Sequence, residues 1–334
     1  MSDLSSAGLF AIAAATSLAS SWLLVSRLGR IGARLGLSEA LLGMLTAFAA
    51  DAPEITAAVT ALGRHDHSVG TGVAIGSNVF NLAALLGLAG VVAGQISLHR
   101  RVILLSGVVA VWISAACLVV VVGVISPAVG LVSVLGALLP YLALLGMGRR
   151  RLLNVRLPRT WASWLAAAVH EEELELVVAI HPRRGRALDA VTAGIAAVVV
   201  VVASIAMEHT ATRLGAHNAV PGIVVGGLVL AAVTSLPNAV AAVYFAARGR
   251  GAAVLSTALN SNAINVVAGF LAPASVLGLG SPSGSETLIA AAYAAMTVLA
   301  LVIAYANRGL RRGSGALIIA GYLAVAVVLL VTAS

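Results

Sequence analysis

The sequence predicts an all-α integral membrane protein whose ten transmembrane helices form two inverted five-helix repeats. Three observations predict it. First, the 334 residues are 60% hydrophobic and only 10% charged, with a mean hydropathy of +1.06, whereas a soluble domain carries roughly 25% charged residues. Second, long apolar stretches alternate with short arginine runs that fall on one side of a membrane. Third, a segment of the first half recurs in the second.

A helix needs about 20 mainly apolar residues to cross a bilayer. Ten stretches qualify: Leu4–Ser26, Glu39–Leu62, Val69–Val92, Val102–Val124, Pro127–Met147, Ala187–Met207, Val220–Ala247, Ala252–Leu271, Thr287–Ala306 and Ala316–Thr332. Only Gly123, Ser126 and Pro127 mark the turn between the fourth and fifth. Asp3 and the lack of a basic stretch before the first span argue against a cleavable signal peptide.

All 20 basic residues are arginine. With an outside N-terminus, 18 of them fall in inner loops and only Arg64 and Arg213 outside. Cytoplasmic loops carry such an excess, so the expected setting is a multi-pass protein of the plasma (inner) membrane with both termini outside. Arginines clustered this way are topology signals, not a nucleic-acid-binding surface, and the net charge of +8 follows from them. The one cysteine, Cys117, lies within a span and excludes an intrachain disulfide.

The longest hydrophilic segment, 149–186, divides the chain into a first unit (1–148) and a second (187–334). Five spans is an odd number, so the second unit enters the membrane in the opposite sense, as in inverted-repeat transporters. Aligned without gaps at an offset of 184, Gly43–Asn81 and Gly227–Asn265 match at 11 of 39 positions. The alanine matches follow from composition and small-residue packing. The shared proline, Pro53 and Pro237, and the shared Ser-Asn-x-x-Asn do not.

Each proline sits in mid-span and cannot donate to the carbonyl four residues earlier. Those carbonyls belong to Ala49 and Val233. A freed carbonyl at membrane depth is tolerated where it lines a cavity, and there it can coordinate a cation. Among twelve acidic residues only Asp51 and Glu54 fall in the middle of a span. Intramembrane carboxylates mark ion or proton pathways, and their i, i+3 spacing puts both on one helix face. Two anions that close repel, and either a bound cation or a proton relieves the repulsion. Ser77, Asn78 and Asn81 add oxygen donors from the third span. Thr234, Ser235, Asn238, Ser261, Asn262 and Asn265 add them from the second copy. Oxygen donors with no nearby Cys or His suit hard cations such as Na⁺ and Ca²⁺.

These residues carry a resemblance. "GMLTAFAADAPEITAAV" with "GVAIGSNVFN" resembles the first alpha-repeat of the cation/calcium exchanger superfamily, and "GGLVLAAVTSLPNAVAAV" with "STALNSNAIN" resembles the second. The resemblance implies a secondary antiporter that exchanges Ca²⁺ or another hard cation for H⁺ or Na⁺ by alternating access at a midplane site. In the family each repeat has a Thr-Ser-x-Pro-Glu core whose glutamates are the central ligands. Glu54 matches the first. Asn238 replaces the second, Ala50-Asp51 replaces the first Thr-Ser pair, and Asn265 stands where many members have an acid. Both site charges therefore come from one repeat.

The alternative is a cation channel or non-transporting sensor on the same fold, which the altered second repeat favours. An intramembrane aspartyl protease lacks a second mid-span aspartate, and no P-loop suggests a pump, so an enzyme is not expected. The expected partners are inorganic cations and membrane lipids, with no resident cofactor, in a monomer or homodimer. In 149–186, Trp161, Trp164 and Leu165 suggest an amphipathic helix on the inner membrane face. Glu171–Glu175 with His170 reads as a solvated face, and "RHDH" at Arg64–His67 as an outer loop.

Overall fold

The structure is a computed structural model that describes residues 3–35, 45, 47–147, 158–177, 185–249 and 251–333. It is almost wholly helical. Among the described residues eight helices are long and apolar enough to cross a membrane, and nine with one bent pair taken as a single span. The beginning of the expected second span, with Glu39 and Gly43, lies outside the described residues.

Helix α1 (Asp3–Leu35) has 33 residues and packs along α7 (Ala187–His217), which has 31. At 1.5 Å per residue each exceeds the roughly 30 Å hydrocarbon core. Ser17 and Ser204 meet at 2.7 Å where the pair crosses. Near one end Asp189 of α7 accepts from Arg27 of α1 at 2.7 Å, with Arg30 at 3.6 Å.

Between these helices and the rest lie two broken spans. Residues 47–50 are helical, Asp51 interrupts, and α2 (Ala52–Gly63) resumes with Pro53 in its first turn. Its counterpart runs through α8 (Gly222–Val224, π-helical Val225–Leu230, Ala231–Thr234), breaks at Ser235, and continues as α9 (Leu236–Ala247) after a 47° bend. The break residues share a conformation, φ −81° with ψ −5° at Asp51 and −4° at Ser235. Further along, His65 and Gly249, also 184 apart, both take positive φ, 61° and 72°.

Helix α3 (His67–Asn81) continues through π-helical Leu82–Leu88 into Ala89–Ala93, and α10 (Gly251–Ile264) through π-helical Asn265–Leu271 into Ala272–Leu277. Helix α3 crosses α8 backbone to backbone. A Cβ on Gly76 would lie 2.5 Å from the Cα of Gly227, so glycine is required on that crossing. This is the close approach that small residues permit between membrane helices.

The remaining helices buttress this centre. Helices α4 (Arg100–Val121) and α5 (Pro127–Gly146) are joined by a turn in which the Ser126 hydroxyl accepts from the N–H of Val129 at 3.4 Å. Helix α6 (Arg159–Val177) buries Ala162, Ala166 and Val169 and leaves Trp161 exposed. Helices α11 (Gly284–Asn307) and α12 (Arg312–Ala333) close the chain.

The structure corrects the sequence reading in two places. A two-stranded antiparallel ribbon, β1 (Gln95–Ser97) with β2 (Gly309–Arg311), joins two loops of a chain read as all-α. These three-residue strands are too short to leave a periodic signal. The sixth span does not end at Met207 but runs ten residues further, so Glu208 is fully buried, with the Arg64 guanidinium 3.4 Å away. The seventh stretch, in which Pro237 interrupts the helical hydrogen bonding, is bent by 47° at Ser235.

Candidate functional site

The two helix breaks and the middles of α3 and α10 converge on one buried polar cluster. Asp51, Ser77, Asn78, Asn81, Thr234, Ser235 and Ser261 are 0% exposed, Glu54 and Asn265 1%, and Asn238 and Asn262 2%. Each side chain arrives there for a local reason. Pro53 and Pro237 end the helical hydrogen bonding one turn upstream, which leaves the residues of the break turned across the bundle. The Ser-Asn-x-x-Asn spacing of α3 and α10 places its serine and second asparagine one turn apart.

Across the interface the second copy donates to both carboxylates of the first. The Ser235 hydroxyl donates to Glu54 Oε1 at 2.5 Å, and Asn265 Nδ2 donates to Glu54 Oε2. Asp51 Oδ1 accepts from Asn238 Nδ2 at 2.6 Å and from the Ser261 hydroxyl at 2.7 Å. Asn81 Nδ2 donates to Ser261 Oγ at 3.2 Å and to Asn262 Oδ1 at 3.1 Å. Asn78 and Asn262, 184 residues apart, exchange bonds reciprocally: each side-chain amide donates to the other's backbone carbonyl, at 3.1 and 3.2 Å.

Four buried oxygens in this cluster have no partner among the described residues: Asp51 Oδ2, Ser77 Oγ, Asn81 Oδ1 and Asn265 Oδ1. Buried polar atoms are nearly always paired, so an unpaired set needs an explanation. Carboxylate, hydroxyl and amide oxygens gathered within a low-dielectric interior are the donor set of a hard cation.

Three residues of the expected ligand set, Ala49, Thr234 and Val233, are placed differently. The Ala49 carbonyl, freed by Pro53, accepts from the Ser21 hydroxyl of α1 at 3.1 Å, with Ala50 O at 3.4 Å. A neighbouring helix therefore satisfies the carbonyl that the sequence assigned to a cation. The Thr234 hydroxyl donates to Leu230 O of its own helix at 2.8 Å and joins neither carboxylate. At the other break the Ser235 N–H closes onto the carbonyls of Ala231 and Val233. Ser21 was missed by sequence reasoning. Its signal is the Ser17–Ser21 pair, one turn apart on an otherwise apolar face. Tyr293 of α11, 1% exposed and hydrogen-bonded with Asn78, was missed as well, and nothing in its local sequence marks it.

Comparison with known proteins places the family and the fold. The family model described as "Sodium/calcium exchanger protein" matches residues 5–147 and again 188–331. The chain belongs to the sodium/calcium exchanger family. Among solved structures, the sodium-calcium exchanger NCX_Mj soaked with Na⁺ and Sr²⁺ is 19% identical over 97% of this chain and 98% of its own, with a TM-score of 0.61. Native YfkE is 19% identical over 98% of this chain and 92% of its own, with a TM-score of 0.63. The H⁺/Ca²⁺ exchanger CAX is 13% identical over 98% and 86%, with a TM-score of 0.64. At these identities the likeness concerns the fold. Among curated proteins none matches in sequence. Within that family this chain carries Asn238 and Asn265 in the same buried cluster as its two carboxylates, Asp51 and Glu54.

Proposed function

We propose that this protein is a secondary cation antiporter that carries Ca²⁺ or another hard cation in exchange for protons, at the site between its two helix breaks. The observation that carries the reading is the set of four unpartnered buried oxygens around two carboxylates. In this reading ten spans form two inverted five-helix halves. The matched break conformations at Asp51 and Ser235, the reciprocal Asn78–Asn262 bonds and the two successive matches to one family model support that layout. The arginine distribution supports outside termini.

The residues have distinct tasks. Asp51 and Glu54 supply the charge that attracts the cation. Ser235, Asn238, Ser261 and Asn265 hold the carboxylates in place and, through their remaining oxygens, complete its shell together with Ser77 and Asn81. The breaks let the two halves of each span move separately, so the site opens to one side and then the other. Two negative charges are neutralised by one divalent cation, two Na⁺ or two protons. A cycle that alternates one divalent cation with two protons moves no net charge.

The test is uptake of ⁴⁵Ca²⁺ into proteoliposomes bearing a counter-ion gradient. Wild-type protein accumulates the cation and Glu54→Gln does not. Cation flux that runs only down its own gradient, with no dependence on a counter-ion, would mark a channel instead.

A further inference from the structure

The arginine-poor face carries a cavity of about 320 Å³ that neither Asp51 nor Glu54 lines. Its walls come from the start of α3 (His67, Thr71), the α4–α5 turn, the end of α10 (Phe270), and the loop and first turn of α11 (Pro282, Glu286). Glu286 is the one acid that lines it. Its residue is 9% exposed, and its Oε1 accepts from the Ser68 hydroxyl at 3.0 Å. The first turn of a helix favours a negative charge at that position. His67 lines the same cavity, and its Nδ1 is buried without a partner among the described residues. An orphan nitrogen beside a cavity this size implies water within it.

The cavity and the central site share helices α3 and α10. Thr71 is seven residues from Asn78 on α3, and Phe270 five from Asn265 on α10. At 1.5 Å per residue these separations are roughly 10 and 8 Å. Phe270, which lines the cavity, is fully buried. A carboxylate in a hydrated, mostly apolar mouth focuses its field outward and raises the local cation concentration.

We propose that Glu286 is a second, external cation site, a weak admission site that loads the central one from the arginine-poor face. The proposal rests on the antiport reading above and adds to it a group that acts on one face only.

The experiment measures ⁴⁵Ca²⁺ exchange in vesicles of known orientation, with the cation presented to each face in turn. Glu286→Gln, which keeps the acceptor for Ser68, is expected to raise the half-saturating concentration about tenfold on the arginine-poor face. The maximal rate and the opposite face stay as in wild type, which also shows the variant is folded. Glu286→Asp keeps the charge and stays near wild type. Ser68→Ala removes the hydrogen bond, keeps the charge, and behaves like Glu286→Asp. Raising ionic strength narrows the gap between wild type and Glu286→Gln. An unchanged half-saturation in Glu286→Gln, or an equal change on both faces, overturns the admission site and leaves the antiport reading standing. A wild-type protein that exchanges no cation overturns both.

Discussion

The two broken spans have the same backbone and opposite chemistry. At Asp51 and Ser235 the chain bends with nearly identical dihedral angles, and a proline follows two residues later in both. Yet the first copy carries Asp51 and Glu54 where the second carries Ser235 and Asn238. The second copy does not repeat the charge of the first; it solvates it. Its hydroxyls and amides donate to both carboxylates. In the proposed antiporter the matched breaks set where ligands stand, while the charge differs between the two sides. What must be kept is the total at the centre, because unlike the hydrogen bonds it decides which ions balance the site.

This comparison can be broken most sharply at Glu54. Charges a few ångströms apart in a low-dielectric site interact by several kcal/mol. Glu54→Gln is therefore expected to lower exchange at least about 100-fold, measured as initial ⁴⁵Ca²⁺ uptake. Wild-type uptake in this variant would remove Glu54 from the site.

The equivalence of the two copies can be sharpened by moving a charge from one to the other. Asn238 Nδ2 lies 2.6 Å from Asp51 Oδ1, so a carboxylate at 238 reaches the place where Asp51 now acts. Asp51→Ser alone is expected to abolish most uptake. Adding Asn238→Glu restores two carboxylates, one per copy, and is expected to recover activity at least about tenfold over the single variant. A double-mutant cycle with no coupling between these positions would contradict their placement. Asn238→Glu alone gives three carboxylates and is expected to raise divalent affinity about tenfold, read by isothermal titration with Ca²⁺.

Smaller effects separate donors from bystanders. Ser235→Ala removes a hydrogen bond to a charged group, worth about 1.5–3 kcal/mol, and should lower uptake about tenfold or more. Thr234→Val, its neighbour in the motif, should change uptake less than about twofold, because the Thr234 hydroxyl is bonded to Leu230 O within its own helix. Equal effects at the two positions would mean that the structure has assigned the wrong hydroxyl.

Much of this site was legible in the sequence. Mid-span acids are costly enough to stand out, a proline in an apolar run announces a freed carbonyl, and a Ser-Asn-x-x-Asn recurring at a fixed offset exceeds what composition supplies. The convergence of the second and third spans of each half follows from those signals. What stayed hidden depends on partners far apart in the chain. Ser21 reaches Ala49 O across two helices, which turned an expected ligand into a satisfied carbonyl. Tyr293 comes to Asn78 from α11. Glu286 and His67, 219 residues apart, share a cavity that no local pattern encodes. Helix ends were also read short, since Arg64 beside buried Glu208 lets an acid enter where hydropathy alone ends the span.

The central claim is that two carboxylates from one copy set the charge of the proposed exchange cycle, in which two protons balance one divalent cation. The direct measurement is ⁴⁵Ca²⁺ uptake into proteoliposomes under an imposed pH gradient or an imposed Na⁺ gradient, with membrane potential recorded in parallel. The account predicts uptake driven by the pH gradient with no net charge moved per cycle. Uptake driven by Na⁺, with net charge moved and no response to the pH gradient, would contradict it.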